Sequence, residues 1–208
     1  MADFYIAFKE TIKKEGGYVN DPKDSGGETF MGIARKIHLE WDGWIIVDAS
    51  KKHIKSDAGL SGMLLANECL IELVENLYVK KYWNRIKGFN IEDNLQIIAN
   101  YLFESAVHIG VRNAIRCLQR ALNILNYDTK KYPELKEDGI IGRKTLGILN
   151  AYFISNKREL EYLILAFRGF LVKFYLNLVR KRTKDERFIR GWLKRADWQM
   201  DSGSSGLS

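Results

Sequence analysis

Prolines occur only at positions 22 and 133 of the 208 residues, so nearly the whole chain is free to be helical. Proline removes a backbone donor and clashes with the preceding turn, and no other residue does both. Apolar residues recur at helical spacing along most of the length. Phe4, Phe8 and Ile12 predict a first helix over about residues 2–14, with Gly16 and Gly17 ending it. The same period predicts a helix at about 32–40. It also predicts a long one at 62–82, whose apolar face carries Leu64, Leu65, Leu70, Leu73, Val74, Leu77 and Tyr78. Further helices are expected at 92–108, at 112–125, after Arg143, at 157–182 and within 185–197. The stretch 41–60 reads as irregular. Residues 18–30 differ in kind: Asp21-Pro22 and Gly26-Gly27 are turn signals, and the segment reads as a short hairpin or ordered loop. The expected fold class is mainly α (α+β), a helical bundle with a small β-hairpin or loop element near the N-terminus that forms the active-site cleft. A boundary near 88–93 gives a catalytic region over 1–90 and a helical region over 91–200 packed against it as one compact unit. Residues 201–208 form a flexible tail.

Lys and Arg total 33 against 26 Asp and Glu, a net charge of +7. A basic surface suits a polyanion such as nucleic acid, anionic lipid or an acidic wall polymer, and charge alone does not choose among them. The run 180–195, "RKRTKDERFIRGWLKR", is its densest part and reads as a solvated face that also holds anionic wall polymers. Cys69 and Cys117 sit in apolar helical patterns and are expected to be buried free thiols. His38, His53 and His108 are scattered without ligand spacing, so no metal site is expected. An uninterrupted apolar run of membrane-spanning length is missing, and so is an apolar signal core at the N-terminus. The expectations are therefore no stable membrane insertion, and synthesis in the cytoplasm without a signal peptide.

Glu15 is the residue with the clearest chemical promise. It follows Ile12 by three, which turns it toward the apolar side of the first helix, and it lies at the helix C-terminus, where the macrodipole is negative. Both effects favour the neutral, protonated acid, which is what a glycosidic leaving oxygen requires. A surface glutamate at a frayed helix end fits the position equally well. The next loop sharpens the choice. Asp24 follows after eight residues and Thr29 after four more, and a tight hairpin brings both opposite Glu15. A carboxylate and a hydroxyl facing an acid across a gap can hold a water molecule, the arrangement for inverting hydrolysis. A closer carboxyl pair suits a retaining nucleophile instead, and spacing alone leaves the two open.

The segment 15–33, "EGGYVNDPKDSGGETFMGI", resembles the signature of glycoside hydrolase family 108, a group of phage-type lysozymes, whose pattern runs roughly EGGYxNDPxDxGGxTxxGI. "YVKKYW" at 78–83 resembles that family's helix ending in a Tyr-Trp pair. The order Glu, Asp, Thr is also similar to the triad of another phage lysozyme group, with the second spacing one residue shorter here. The resemblance implies a lysozyme-like fold and an N-acetylmuramidase of endolysin type. Glu15 is then the acid, Asp24 the residue that orients or activates water, and Thr29 its helper. Tyr18, Asn20, Gly27, Tyr82 and Trp83 are the candidate substrate contacts. In the C-terminal half, residues 103–122 and "DGIIGRKTL" at 138–146 resemble a peptidoglycan-binding region that accompanies the family. Glu104 and His108 replace the usual Asp and Asn there. DGxxGxxT is equally well explained as a turn leading into a helix that holds Thr145 in its first turn.

The function this implies is hydrolysis of the β-1,4 bond between N-acetylmuramic acid and N-acetylglucosamine in bacterial peptidoglycan. The expected protein is a monomer that needs no cofactor, because two carboxyl groups suffice, and that takes no nucleic acid partner. Two other readings remain. One is a lytic transglycosylase, which leaves an anhydro-sugar. The other is a non-catalytic wall-binding module, which has no use for Glu15.

Overall fold

The structure, a computed structural model, describes residues 1–13, 15–20, 27–54, 56–127, 131–152 and 157–197, without the side chains of residues 152 and 157. The chain forms two compact units: Phe4–Asn84, and Met1–Asp3 together with Arg85 onward. Helices dominate both, and the strands described form one three-stranded antiparallel sheet in the N-terminal unit.

That unit begins with α1, Phe4–Ile12, which buries Phe4, Ala7, Phe8 and Thr11, the i, i+3, i+4, i+7 stripe of a core-facing helix. A meander follows: β1 (Tyr18–Asn20), β2 (Glu28–Phe30) and β3 (Ile33–Ala34). β1 pairs with β2, Tyr18 opposite Phe30 and Val19 opposite Thr29. β2 returns through Met31-Gly32 to pair Phe30 with Ile33. The helix expected at 32–40 is therefore absent and strand and turns stand in its place. Both residues of this two-residue turn have positive φ, Met31 at 46° and Gly32 at 77°, which twists the strands into a hairpin and is incompatible with a right-handed helix.

The stretch expected to be irregular holds α2 (Gly43–Lys51) and α3 (Asp57–Leu65). α2 forms despite its run Trp44-Ile45-Ile46-Val47, because Trp44, Val47 and Ser50 pack inward at helical spacing. The single long helix expected at 62–82 is divided. α3 ends before Ala66, and α4 (Glu68–Tyr78) restarts on an N-cap in which Asn67 accepts a hydrogen bond from the Leu70 amide. α4 then widens into one π turn over Val79–Trp83, closed by the Asn84 amide bonding to the Val79 carbonyl at 2.9 Å. Five residues apart on an α-helix point to different sides. The wider turn brings Tyr78 and Trp83 both into the core, where Phe8 packs on Tyr78 and Phe4 on Trp83.

In the C-terminal unit, α5 (Gln96–Ile109) is buried continuously from Ile98 to Ala106, so it is the central helix rather than a surface one. It ends at Gly110, where φ is 84°. α6 (Val111–Ile124), α7 (Arg143–Tyr152), α8 (Lys157–Lys181) and α9 (Ile189–Ala196) follow. The DGIIG segment is a structural turn. The Asp138 carboxylate accepts hydrogen bonds from the Ile140 amide and the Gln119 side chain, and a Cβ on Gly139 would lie 2.6 Å from the Arg112 carbonyl oxygen. Thr145 is buried in the first turn of α7.

One further expectation changes: both cysteines are free, but Cys69 is exposed and only Cys117 is buried. By length and composition alone, Arg158–Lys181 is long and apolar enough to cross a membrane, although Arg168 and Lys173 interrupt its apolar run.

Candidate active site

Glu15 lies in the turn that follows α1, not on the helix face. Its amide bonds to the Ile12 carbonyl at 3.0 Å, and Gly16 then takes φ 72° and turns the chain away. The residue is half-buried. Its carboxyl group lies over Gly32: a Cβ built on Gly32 would stand 2.9 Å from Glu15 Oε2 and 2.8 Å from the Tyr78 hydroxyl. Only glycine leaves room there, and only glycine accepts that φ without strain.

The turn beneath Glu15 is fixed from two sides. The Met31 amide donates to the Gly17 carbonyl at 3.1 Å, and the Met31 carbonyl accepts from the Tyr78 hydroxyl at 2.8 Å in a buried bond. Both backbone polar groups of a residue in left-handed conformation are thus held, which is how a strained position persists. Gly17 has its own reason. A Cβ there would collide with Ser61 Oγ, and that hydroxyl accepts the Tyr18 amide at 3.0 Å. The pair Gly16-Gly17 therefore supplies a turn and then a close approach to α3.

Among the other expected site residues, Thr29 is half-buried in β2, opposite Val19 and Ala34, on the sheet face away from Tyr18 and Phe30. Asp24 lies outside the described residues. Asn20 is exposed at the end of β1, and Tyr82 is half-buried with its ring 5.4 Å from that of Tyr78. Three expected substrate contacts are buried in the structure. Tyr18 is 5% exposed, and its hydroxyl donates to Glu28 at 2.8 Å. Trp83 is wholly buried, because the π turn directs it into the core. Gly27 is buried at φ 64°, with the Lys36 side chain 3.0 Å from where a Cβ would be.

The residues that fix this site, beyond the candidate site residues of the sequence, are Met31, Gly32 and Tyr78, together with an ion-pair network. Glu28 accepts hydrogen bonds from Tyr18 and Lys51 and pairs with Arg35, which forks onto Asp48 at 2.6 and 3.0 Å and lies over the Trp44 ring. Burial works to raise the Glu28 carboxyl, but Lys51, Tyr18 and Arg35 outweigh it and hold it below the ordinary range. A carboxyl kept as an anion is a poor proton donor, so this network anchors the sheet to α2 and leaves Glu15 as the acid candidate.

A groove of about 670 Å³ in this unit runs between the 37–42 loop and α4, lined by His38, Trp41, Leu73, Leu77 and Lys81 among others. Lys81 Nζ donates to His38 Nδ1 at 2.8 Å, and burial together with Lys81 holds the His38 imidazole below its ordinary pKa. Glu15 and Thr29 do not line it.

A mainly helical, lysozyme-like fold with a half-buried glutamate at a helix-to-hairpin turn describes a glycan-cleaving enzyme as a class. Residues 8–110 match Glycosyl hydrolase 108, and this region is a family 108 glycosyl hydrolase domain. Residues 113–197 match the Predicted Peptidoglycan domain, so the enzyme is a glycoside hydrolase acting on peptidoglycan. The family boundary falls just after Gly110 whereas the compact units divide at 84–85, so α5 belongs to family 108 sequence yet packs in the C-terminal unit. Among solved structures, the chain is similar to one titled Structure of Brucella abortus SagA, at 22% identity and a TM-score of 0.55, covering 93% of this chain and 89% of that one. This supports the fold alone. No curated protein matches the chain.

Proposed function

We propose that the enzyme hydrolyses the β-1,4 bond between N-acetylmuramic acid and N-acetylglucosamine, with Glu15 as general acid and with Asp24 and Thr29 holding the water. The observation that carries this reading is the Glu15 carboxyl lying over Gly32 on a turn bonded to Gly17 and Tyr78. An acid on such a support keeps one orientation toward a glycosidic oxygen. Glu15 protonates the leaving oxygen as the bond to the anomeric carbon breaks. Water attacks that carbon from the opposite face, and Asp24 takes the water's proton. The product inverts from β to α.

The test is Glu15→Gln, assayed on purified walls with mass spectrometry of the products. The variant should melt like the wild type and lose at least about a hundredfold in rate, since general acid catalysis typically contributes 10²–10⁴-fold. Activity within about tenfold of wild type removes Glu15 from the role. Anhydro-sugar ends from the wild type identify a transglycosylase instead. For stereochemistry, the first-formed anomer by NMR decides: a β product, or a glycosyl adduct on Asp24, means retention through a covalent intermediate.

A further inference from the structure

α8 has two opposite stripes. Leu163, Phe167, Leu171 and Tyr175, four apart, are each at most 1% exposed and face the core. On the other side, at spacings of three and four, lie Tyr162, Leu165, Gly169, Lys173, Leu176 and Arg180, all exposed. Leu165 is 66% exposed and Tyr162 and Leu176 are each 46% exposed, although solvated helix faces are ordinarily polar. Only 22% of the most apolar window of this helix is buried.

The charge on this side is predominantly positive: exposed Glu161 opens the stripe four residues before Leu165, and the charges that follow are basic. From residue 162 to residue 184 the sequence holds Arg168, Lys173, Arg180, Lys181, Arg182 and Lys184 and no acidic residue. Arg168 is already engaged by Asp197 and the Ala196 carbonyl. The others gather at the helix C-terminus, apart from Lys173, whose long stem lets its charge rise from an apolar surface.

We propose that this outer face of α8 is a peripheral docking surface for an anionic phospholipid bilayer, with Leu165, Leu176 and Tyr162 in the acyl–headgroup boundary and Lys173 and Arg180–Lys184 on the lipid phosphates. The pattern is that of a helix lying in the interface plane. A full crossing would strip the Leu163–Tyr175 stripe from the core it forms. A second copy of the chain is a poor occupant, because its stripe offers Lys173 and the cations of 180–184 no acidic partner but Glu161. A hydrophilic wall polymer satisfies the cations but gives the leucines no apolar phase.

The experiment is co-sedimentation of the full chain with vesicles of phosphatidylglycerol and, separately, of phosphatidylcholine, alongside analytical ultracentrifugation without lipid. Binding is expected on phosphatidylglycerol and at least tenfold weaker on phosphatidylcholine. Leu165→Glu and Leu176→Glu should each weaken it about tenfold. Lys173→Gln and Arg180→Gln should each weaken it about fivefold. All four variants should keep wild-type melting and wild-type cleavage of short soluble glycans. No vesicle binding, or equal binding to both lipids, overturns the proposal. Loss with the charge variants but not the leucine variants overturns it in favour of a polyanionic polymer. A lipid-free dimer dissolved by Leu165→Glu overturns it in favour of self-association.

Discussion

The Tyr78 hydroxyl donates a buried hydrogen bond of 2.8 Å to the Met31 carbonyl, across 47 residues of sequence. Met31 has φ 46°, and the next residue, Gly32, lies directly under the Glu15 carboxyl. The bond therefore links the end of α4 to the support of the proposed acid.

Tyr78→Phe keeps the ring and removes that donor. The Met31 carbonyl is left buried without its side-chain partner, at a cost of about 1–3 kcal/mol. Urea unfolding should show that loss. Wall-lytic kcat should fall as well, with KM little changed, because the turn beneath Glu15 loosens while the rest of the surface stays as it was. A destabilised variant with wild-type kcat would show that the turn does not position the acid.

How much of this was legible in the sequence depends on the range of the interactions. α1 and its glycine stop rest on local period and on φ preference, so they could be read directly. So could the helices of the C-terminal unit, where apolar residues repeat without competing signals. The hairpin was legible from Asp21-Pro22 and Gly26-Gly27, but the third strand was not, because Gly32 ahead of apolar residues at helical spacing fits a helix start as well as half of a positive-φ turn. Tyr18 and Trp83 carry the right chemistry for stacking on sugars, and only the packing around Glu28 and around the π turn buries them. Tyr78 could be found from its place in the apolar stripe of α4, but its bond to Met31 is tertiary and leaves no local mark.

Gly32→Ala tests the same support from the other side. The added methyl would stand 2.8 Å from the Tyr78 hydroxyl and 2.9 Å from Glu15 Oε2, on a backbone with φ 77°. The flexible Glu15 side chain yields more easily than the packed ring. The variant should lose stability by about 1–2 kcal/mol from the left-handed strain. Its loss of activity should be larger than that of Tyr78→Phe. Activity that survives while the melting temperature falls would mean Glu15 adapts without cost.

The two thiols should report on local structure. Cys69 is exposed, whereas Cys117 is 2% exposed and burial pushes its thiol up to about 11. An aromatic disulfide reagent at pH 8 should label one thiol per native chain quickly, and Cys69→Ala should abolish that fast phase. The second thiol should react only on unfolding. Two fast thiols would mean that α6 opens readily, and no fast thiol would mean that Cys69 is covered.

Glu28 sets an expected acid limb of stability. Its carboxyl is held below the ordinary range: burial opposes this, but Lys51, Tyr18 and Arg35 outweigh it. In the unfolded chain a glutamate titrates near 4.3, so between that value and the lower native one the unfolded state binds more protons. The sign follows. The network's contribution is fully present above about pH 4.3 and is lost as pH falls through the native value. Glu28→Gln removes the charge but keeps the shape, leaving Arg35 with Asp48 and Lys51 without its closest partner. At pH 7 the variant should be less stable by about 1.5–3 kcal/mol, the range for hydrogen bonds to charged groups. The two proteins should converge only as pH falls through the depressed native value of Glu28, where the wild-type carboxyl becomes protonated as well. Urea denaturation of both between pH 3 and 7 measures the gap. A difference that stays constant across that range would assign the loss to packing rather than to the charge on Glu28.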